Sequence, residues 1–256
     1  MNRSALSATG IPDPDRRWAL LLDVDGTLLH IAETPDGVAG STALCRLLSR
    51  LAPALDGAVA LISGRTIQDL DRLFTPLKPP AAGLHGLEHR NAKGQVSTLG
   101  EAEALDHLRA PLAEFASSHK GLLLEDKGRA LAFHYRRAPD REAEVKERIE
   151  ALTGGSEDLR TIHGKMVVEI KPRHADKGSA VRAFMCEPPF HGRIPVFLGD
   201  DVTDEDAFEA VNDLNGLSIR VGPAQETAAR YRLDGVDEVL QWLTRMADSL
   251  NPGGEE

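Results

Sequence analysis

Three near-continuous apolar runs constrain this chain most: WALLLDVD at 18–25, GAVALISGR at 57–65 and IPVFLGDD at 194–201. A strand with one wet face alternates apolar and polar residues, whereas a strand covered on both faces reads as an unbroken apolar run, as in parallel sheets. Helical spacing separates the runs. STALCRLLSRLAPAL (41–55) and IQDLDRLF carry leucines on one face, and KGSAVRAFMCE, TDEDAFEAVND and VDEVLQWLTRMADSL do the same in the last third. Thr203 is placed to N-cap the second of these. PPAAGLHG (79–86) leads into a short third strand and GLSIRVG supplies another. This βαβα order predicts an α/β fold with a parallel sheet and helices on both faces.

The middle of the chain has a different grammar. After a basic, turn-rich patch, residues 103–119 read as an amphipathic helix. GLLLEDKG and RALAFHYR are adjacent strand candidates turning near Lys127-Gly128, REAEVKERIEAL is a helix with a charged face, and one or two strands surround Gly164. The expectation is a small α/β domain inserted into a discontinuous core: core 1–87, insert 88–170, core 171–256.

Open parallel sheets hold ligands at the carboxyl ends of their strands. Four such ends carry polar groups here: Asp23 and Asp25, Ser63 with Arg65, His85, and Asp200 with Asp201. Residues i and i+2 of a strand share a face, so two carboxylates at 23 and 25 repel unless a cation, a shared proton or a chemical duty accounts for them. Three or four carboxylates brought together suit a hard cation such as Mg²⁺, which keeps waters and works with substrate phosphates. One carboxylate beside such a cation can attack phosphorus, with Lys177, Ser63 and Gly64 as candidates to hold the phosphoryl oxygens. Asp25 can give and take the proton, provided neighbours raise it from its ordinary value of about 3.9.

DVDGT, SGR, DKG with Lys177, and GDDVTDED occur in the order and spacing of the four motifs of haloacid dehalogenase (HAD)-like phosphatases, which the chain resembles. The resemblance implies a Rossmann-like HAD core with an inserted cap domain. It implies Asp23 as nucleophile, Asp25 as general acid/base, a metal on Asp23, Asp200 and the Asp25 backbone carbonyl, and Asp201 and Asp204 orienting metal-bound water. Thr27, Ser63 and Lys177 would hold the phosphate. GLHGLEHR, EDKGRALAFHYR and GKMVVEIKPRHADKG look like the trehalose-6-phosphate phosphatase family over almost the whole chain. In that family the elements matching Glu125, Lys127, Arg136, Lys165 and Glu169 reach the sugar. Arg65 either reads substrate or pairs with a core carboxylate. His85 and Gly86 are expected to shape the hinge into the cap, and His134 to be structural.

Thirty basic against forty acidic residues leave a net charge of −10, which argues against nucleic acid or an anionic membrane as partner. No run approaches the roughly 20 apolar residues of a membrane span. Cys45 and Cys186 form no metal or disulfide pattern and read as reduced packing thiols of a cytoplasmic protein. The expected partner is a small sugar phosphate, with no obligate protein partner. Rival readings are a phosphatase of another sugar phosphate such as sucrose phosphate, a hexose phosphomutase, and a phospho-accepting signalling module. The inserted domain and the paired Asp residues count against the last.

Overall fold

A computed structural model describes residues 10–30, 42–98, 105–154, 156, 158–164, 166–173, 175–223 and 226–251. The chain divides into two compact units, residues 1–98 with 176–256, and residues 99–175.

The first unit is built on an eight-stranded sheet. Its strands are β1 (Trp18–Leu22), β2 (Val59–Ile62), β3 (Ala81–Gly83), β4 (Glu88–Arg90), β5 (Val96–Thr98), β10 (Ile194–Gly199), β11 (Leu217–Val221) and β12 (Tyr231–Leu233). Their order is β12-β11-β10-β1-β2-β3-β4-β5. The six strands from β12 to β3 run parallel, and β4 and β5 add an antiparallel hairpin at one edge. β1 pairs in register with β10, Leu22 opposite Leu198, so the acids that follow each strand leave the sheet at the same end.

Side chains alternate between the two faces and are covered on both. Leu20, Leu22, Leu61 and Leu198 pack with α1 (Thr42–Ala54) and α7 (Val236–Leu250). Leu21, Ile62 and Phe197 pack with α5 (Lys177–Met185) and α6 (Glu205–Asp213). The helix α7 shows why the pairing is stable: Val236, Val239, Leu243, Met246 and Leu250 line one stripe, and Trp242 stacks on Trp18 of β1 with ring centroids 6.1 Å apart. Each such buried side chain is worth roughly 1.5–3 kcal/mol against its exposed state. Cys45 is buried in this core, but Cys186 is exposed and so is not the packing thiol that the sequence suggested.

The second unit is a four-stranded antiparallel sheet, β6 (Leu123–Asp126), β7 (Leu131–His134), β8 (Leu159–Gly164) and β9 (Val167–Pro172), in the order β6-β7-β9-β8. One face buries Leu131, Phe133, Val168 and Ile170 with Leu108 and Leu112 of α3 (Asp106–Ser117) and Val145 and Ile149 of α4 (Glu142–Thr153). Alternation then puts Glu125, His134, Glu169 and Lys171 on the other face.

Three particulars differ from the sequence reading. The units part at 98/99 and 175/176 rather than at 87/88 and 170/171, because the turn-rich patch after β3 folds as the β4–β5 hairpin and extends the first sheet. His85 and Gly86 consequently lie inside the first unit, away from either crossing point. Thr203 does not cap α6. It sits within a 3-10 turn at Val202–Asp204 whose N-cap is Asp201, with the Val202 amide donating to Asp201 Oδ1 at 2.7 Å. Among the described residues, no helix is long and apolar enough to cross a membrane.

Candidate active site

Asp23 follows β1 directly, its amide still donating to the Leu198 carbonyl of β10 at 3.0 Å, so the strand ladder fixes its backbone. The chain then turns at once. Gly26 adopts φ +84, and a Cβ there would fall on the Asp200 carboxylate, so only glycine admits that side chain over the turn. Asp200 itself directly follows β10.

The third group arrives from α5. Asp176 caps that helix: its Oδ1 accepts from the Ser179 amide at 2.6 Å, and the Asp176 amide donates to Ser179 Oγ at 3.1 Å. Lys177, the first helical residue, is thereby aimed at the sheet's end. Its ammonium donates to Asp23 Oδ1 and to Asp204 Oδ1, each at 2.6 Å, and all three side chains are at most 5% exposed. Asp204 Oδ2 accepts from the Asp201 amide at 2.9 Å.

Carboxylate oxygens of Asp23, Asp200 and Asp204 lie within 4.8 Å of one another. Lys177 meets only part of that charge. Burial pushes the Asp23 carboxyl well above the ordinary carboxylate range; Lys177 pulls it down, while Asp204 and Asp200 raise it again. Asp200 is pushed up to about 7, by burial first and by the charge of Asp204 second. Burial opposes the charge on Lys177, but Asp204 and Asp23 outweigh it and hold the ammonium firmly protonated.

Among the described residues, two buried side-chain oxygens have no hydrogen-bond partner, Asp23 Oδ2 and Thr27 Oγ1. Buried carboxylates side by side at Asp23 and Asp200 fit an oxygen-preferring divalent cation, while the orphaned Asp23 Oδ2 is left open to an incoming group and the orphaned Thr27 hydroxyl fits an anionic oxygen. Both Asp204 oxygens are already engaged, which suits it to holding Lys177 rather than an ion. Asp200 also lines a groove of about 750 Å³ with Gly26, Gly222 and Asp234.

Asp25 stands apart from this cluster. Its two carboxylate oxygens accept from Arg65 Nε and Nη2, both at 2.7 Å, so Arg65 takes the core-carboxylate partner that the sequence left open. Ser63 is buried, and its hydroxyl accepts from the Arg65 amide at 3.2 Å. Asp201 is exposed and occupied with capping.

In the second unit, Glu125 Oε2 and His134 Nε2 are 2.9 Å apart, and Lys127 Nζ donates to Glu169 Oε1 at 3.1 Å. The His134 hydrogen bond, helped by the charge on Lys127, holds Glu125 below its usual range. Arg136 is exposed just after β7, and Lys165 lies outside the described residues. Sequence reasoning set His134 aside as structural and passed over the buried Lys171. The available signal was parity, because His134 and Lys171 share a face with Glu125 and Glu169 once the strands are in register.

Comparison with known proteins gives concordant matches. The family model for trehalose-phosphatase matches residues 21–237. A probable trehalose-phosphate phosphatase of Sinorhizobium fredii is 51% identical over 207 residues, covering 80% of this chain and 78% of that protein. The trehalose-6-phosphate phosphatase of Escherichia coli is 43% identical over 244 residues, covering 94% and 91%. A solved trehalose-6-phosphate phosphatase related protein superposes with TM-score 0.74 at 29% identity, covering 89% of this chain and 96% of that one.

Proposed function

We infer, since this chain belongs to the trehalose-phosphatase family, that it hydrolyses trehalose 6-phosphate to trehalose and inorganic phosphate through a phosphoryl group carried on Asp23. The observation that carries the reading is the buried Asp23 carboxylate, with one oxygen on Lys177 and the other without a hydrogen bond. A carboxyl group fixed by one oxygen is oriented, once ionised, for attack by the other.

Asp23 Oδ2 forms a bond to phosphorus while the bond from phosphorus to the sugar oxygen breaks. Lys177, Thr27 Oγ1, Ser63 Oγ and the Gly64 amide hold the phosphoryl oxygens. Asp25 supplies the proton to the departing sugar oxygen, then takes one from the water that splits the Asp23–phosphoryl bond, so the enzyme returns to its starting state. Asp23 and Asp200, with the Asp25 backbone carbonyl, would hold Mg²⁺. When bound, the ion neutralises charge on the phosphoryl oxygens and on the two carboxylates.

The second unit, as the cap, selects the sugar. Glu125, Lys127, Arg136, Lys165 and Glu169 are the acids and cations that take the sugar hydroxyls, and a smaller ester offers fewer hydroxyls for them to hydrogen-bond.

Phosphate release from a panel of sugar phosphates, with and without Mg²⁺, tests the reading. Trehalose 6-phosphate should be preferred, and sucrose phosphate or a hexose phosphate at the head of the panel would redirect it. Asp23→Asn should abolish turnover with the thermal midpoint preserved. Substantial activity in that variant rules out Asp23 as the nucleophile.

A further inference from the structure

Residues 83–88, GLHGLE, contribute no side chain to the chemistry above, yet they are the most strained backbone near it. Leu84, His85 and Gly86 occupy left-handed conformations in succession, with φ +49, +56 and +103. A leucine there is an outlier that only surrounding structure can maintain, and such strain gathers where geometry matters to function.

The contacts show what the strain holds. The Leu84 amide donates to the Arg65 carbonyl and the His85 amide to the Ser63 carbonyl, each at 2.9 Å. The Glu88 carboxylate accepts from the Ile67 amide at 2.6 Å, at the first residue of α2 (Ile67–Leu73). The His85 ring lies against Gly64 so closely that a Cβ on Gly64 would sit 2.7 Å from His85 Nε2 and 2.9 Å from Cε1. On its other side the turn meets α5: a Cβ on Gly86 would lie 2.9 Å from the Asp176 carbonyl and 3.4 Å from the Ala180 methyl. One short turn therefore touches the 63–65 loop and the cap that aims Lys177.

We propose that residues 83–88 are the positioning element of the phosphate site, setting the Ser63-Gly64-Arg65 loop and the start of α5 at the separation that a phosphoryl group requires. Gly64, His85 and Glu88 act through the backbone of that loop. The proposal rests on the reading of the 63–65 loop as a phosphate holder, and the test separates the two.

Gly64→Ala, His85→Asn, their double variant, Glu88→Gln, Glu88→Ala and Ser63→Ala are compared by kcat, KM, inhibition by inorganic phosphate and thermal midpoint. Asparagine tolerates the left-handed region and removes the ring that a methyl group added at Gly64 would strike. Gly64→Ala should lower kcat/KM by about a hundredfold and weaken phosphate inhibition, as expected for a displacement of about 1 Å in a catalytic group. The double variant should recover much of that loss without a higher thermal midpoint. Glu88→Gln keeps an acceptor for the Ile67 amide and should retain activity that Glu88→Ala loses. A double variant no more active than Gly64→Ala, or losses that merely follow the thermal midpoint, overturns the proposal. If Ser63→Ala leaves turnover and phosphate inhibition unchanged, the phosphate-loop reading fails; if Ser63→Ala is impaired and the double variant is not rescued, only the positioning role fails.

Discussion

Asp200 has the most consequential single-residue environment in the molecule. Burial and the neighbouring Asp204 charge raise it from 3.8 to about 7. Between those values the folded chain keeps a proton that the unfolded chain has released. The stability this group contributes is therefore complete below the unfolded value and is lost as pH rises through about 7. A divalent cation reverses the balance, since it binds the carboxylate and expels the proton. Without metal, the thermal midpoint should fall between about pH 4 and 7, and Mg²⁺ should restore it more at the upper end. Proton release on adding Mg²⁺, followed in weakly buffered solution, should be larger near pH 6. Asp200→Asn should weaken the pH trend and reduce the release, leaving the part that the raised Asp23 carboxyl contributes. A Mg²⁺ response independent of pH would mean that this carboxylate does not take part in binding. The residue types at 23, 25, 177 and 200 were legible because motif spacing names them. The Asp25–Arg65 fork was legible only as one of two options, since spacing does not say which side chain a guanidinium finds across the sheet.

Among the elements, legibility followed burial. β1, β2 and β10 announce themselves because both faces are covered, and α7 because its stripe repeats along the whole helix. β4, β5 and β12 have three residues each, and β5 is exposed throughout. Too short for a period to register, they exist because a neighbouring strand supplies hydrogen bonds. Thr203 failed as a cap for a related reason. The reciprocal bonds of Asp201 and Asp204 close a 3-10 turn one step earlier, and that turn ties the capping residue to the Lys177 partner. At α5 the cap is also a means of aiming. Asp176→Ala leaves the Ser179 amide without its acceptor and should cost about 1 kcal/mol of stability. Because Lys177 is the next residue, kcat should fall further than that destabilisation explains when measured well below the melting range. Asp176→Asn, which still offers an oxygen, should restore both. An Asp176→Ala enzyme with full kcat would reduce the cap to a purely structural role.

At the scale of the whole chain, the two units differ in how their polar groups are arranged. The first concentrates carboxylates around one ammonium, a composition suited to a metal and a phosphoryl group and indifferent to the alcohol being released. The second distributes Glu125, His134, Lys127 and Glu169 over one small sheet as alternating partners. Pairs of that kind exchange their mutual hydrogen bonds for sugar hydroxyls, but only when the hydroxyls match their spacing. If chemistry and selection are divided in this way, damage to the second unit should change which ester is cleaved more than whether an ester is cleaved. Glu169→Ala removes one partner and takes from the Lys127 ammonium, 18% exposed, the carboxylate it donates to. The loss in kcat/KM for trehalose 6-phosphate should be about a hundredfold, the scale of one hydrogen bond to a charged group at about 1.5–3 kcal/mol, while p-nitrophenyl phosphate changes little. Glu169→Gln, able to accept a hydrogen bond but uncharged, should fall between. Equal losses on both esters would assign Glu169 to folding of the second unit. A larger loss on p-nitrophenyl phosphate would place part of the phosphate chemistry there, against the division of labour.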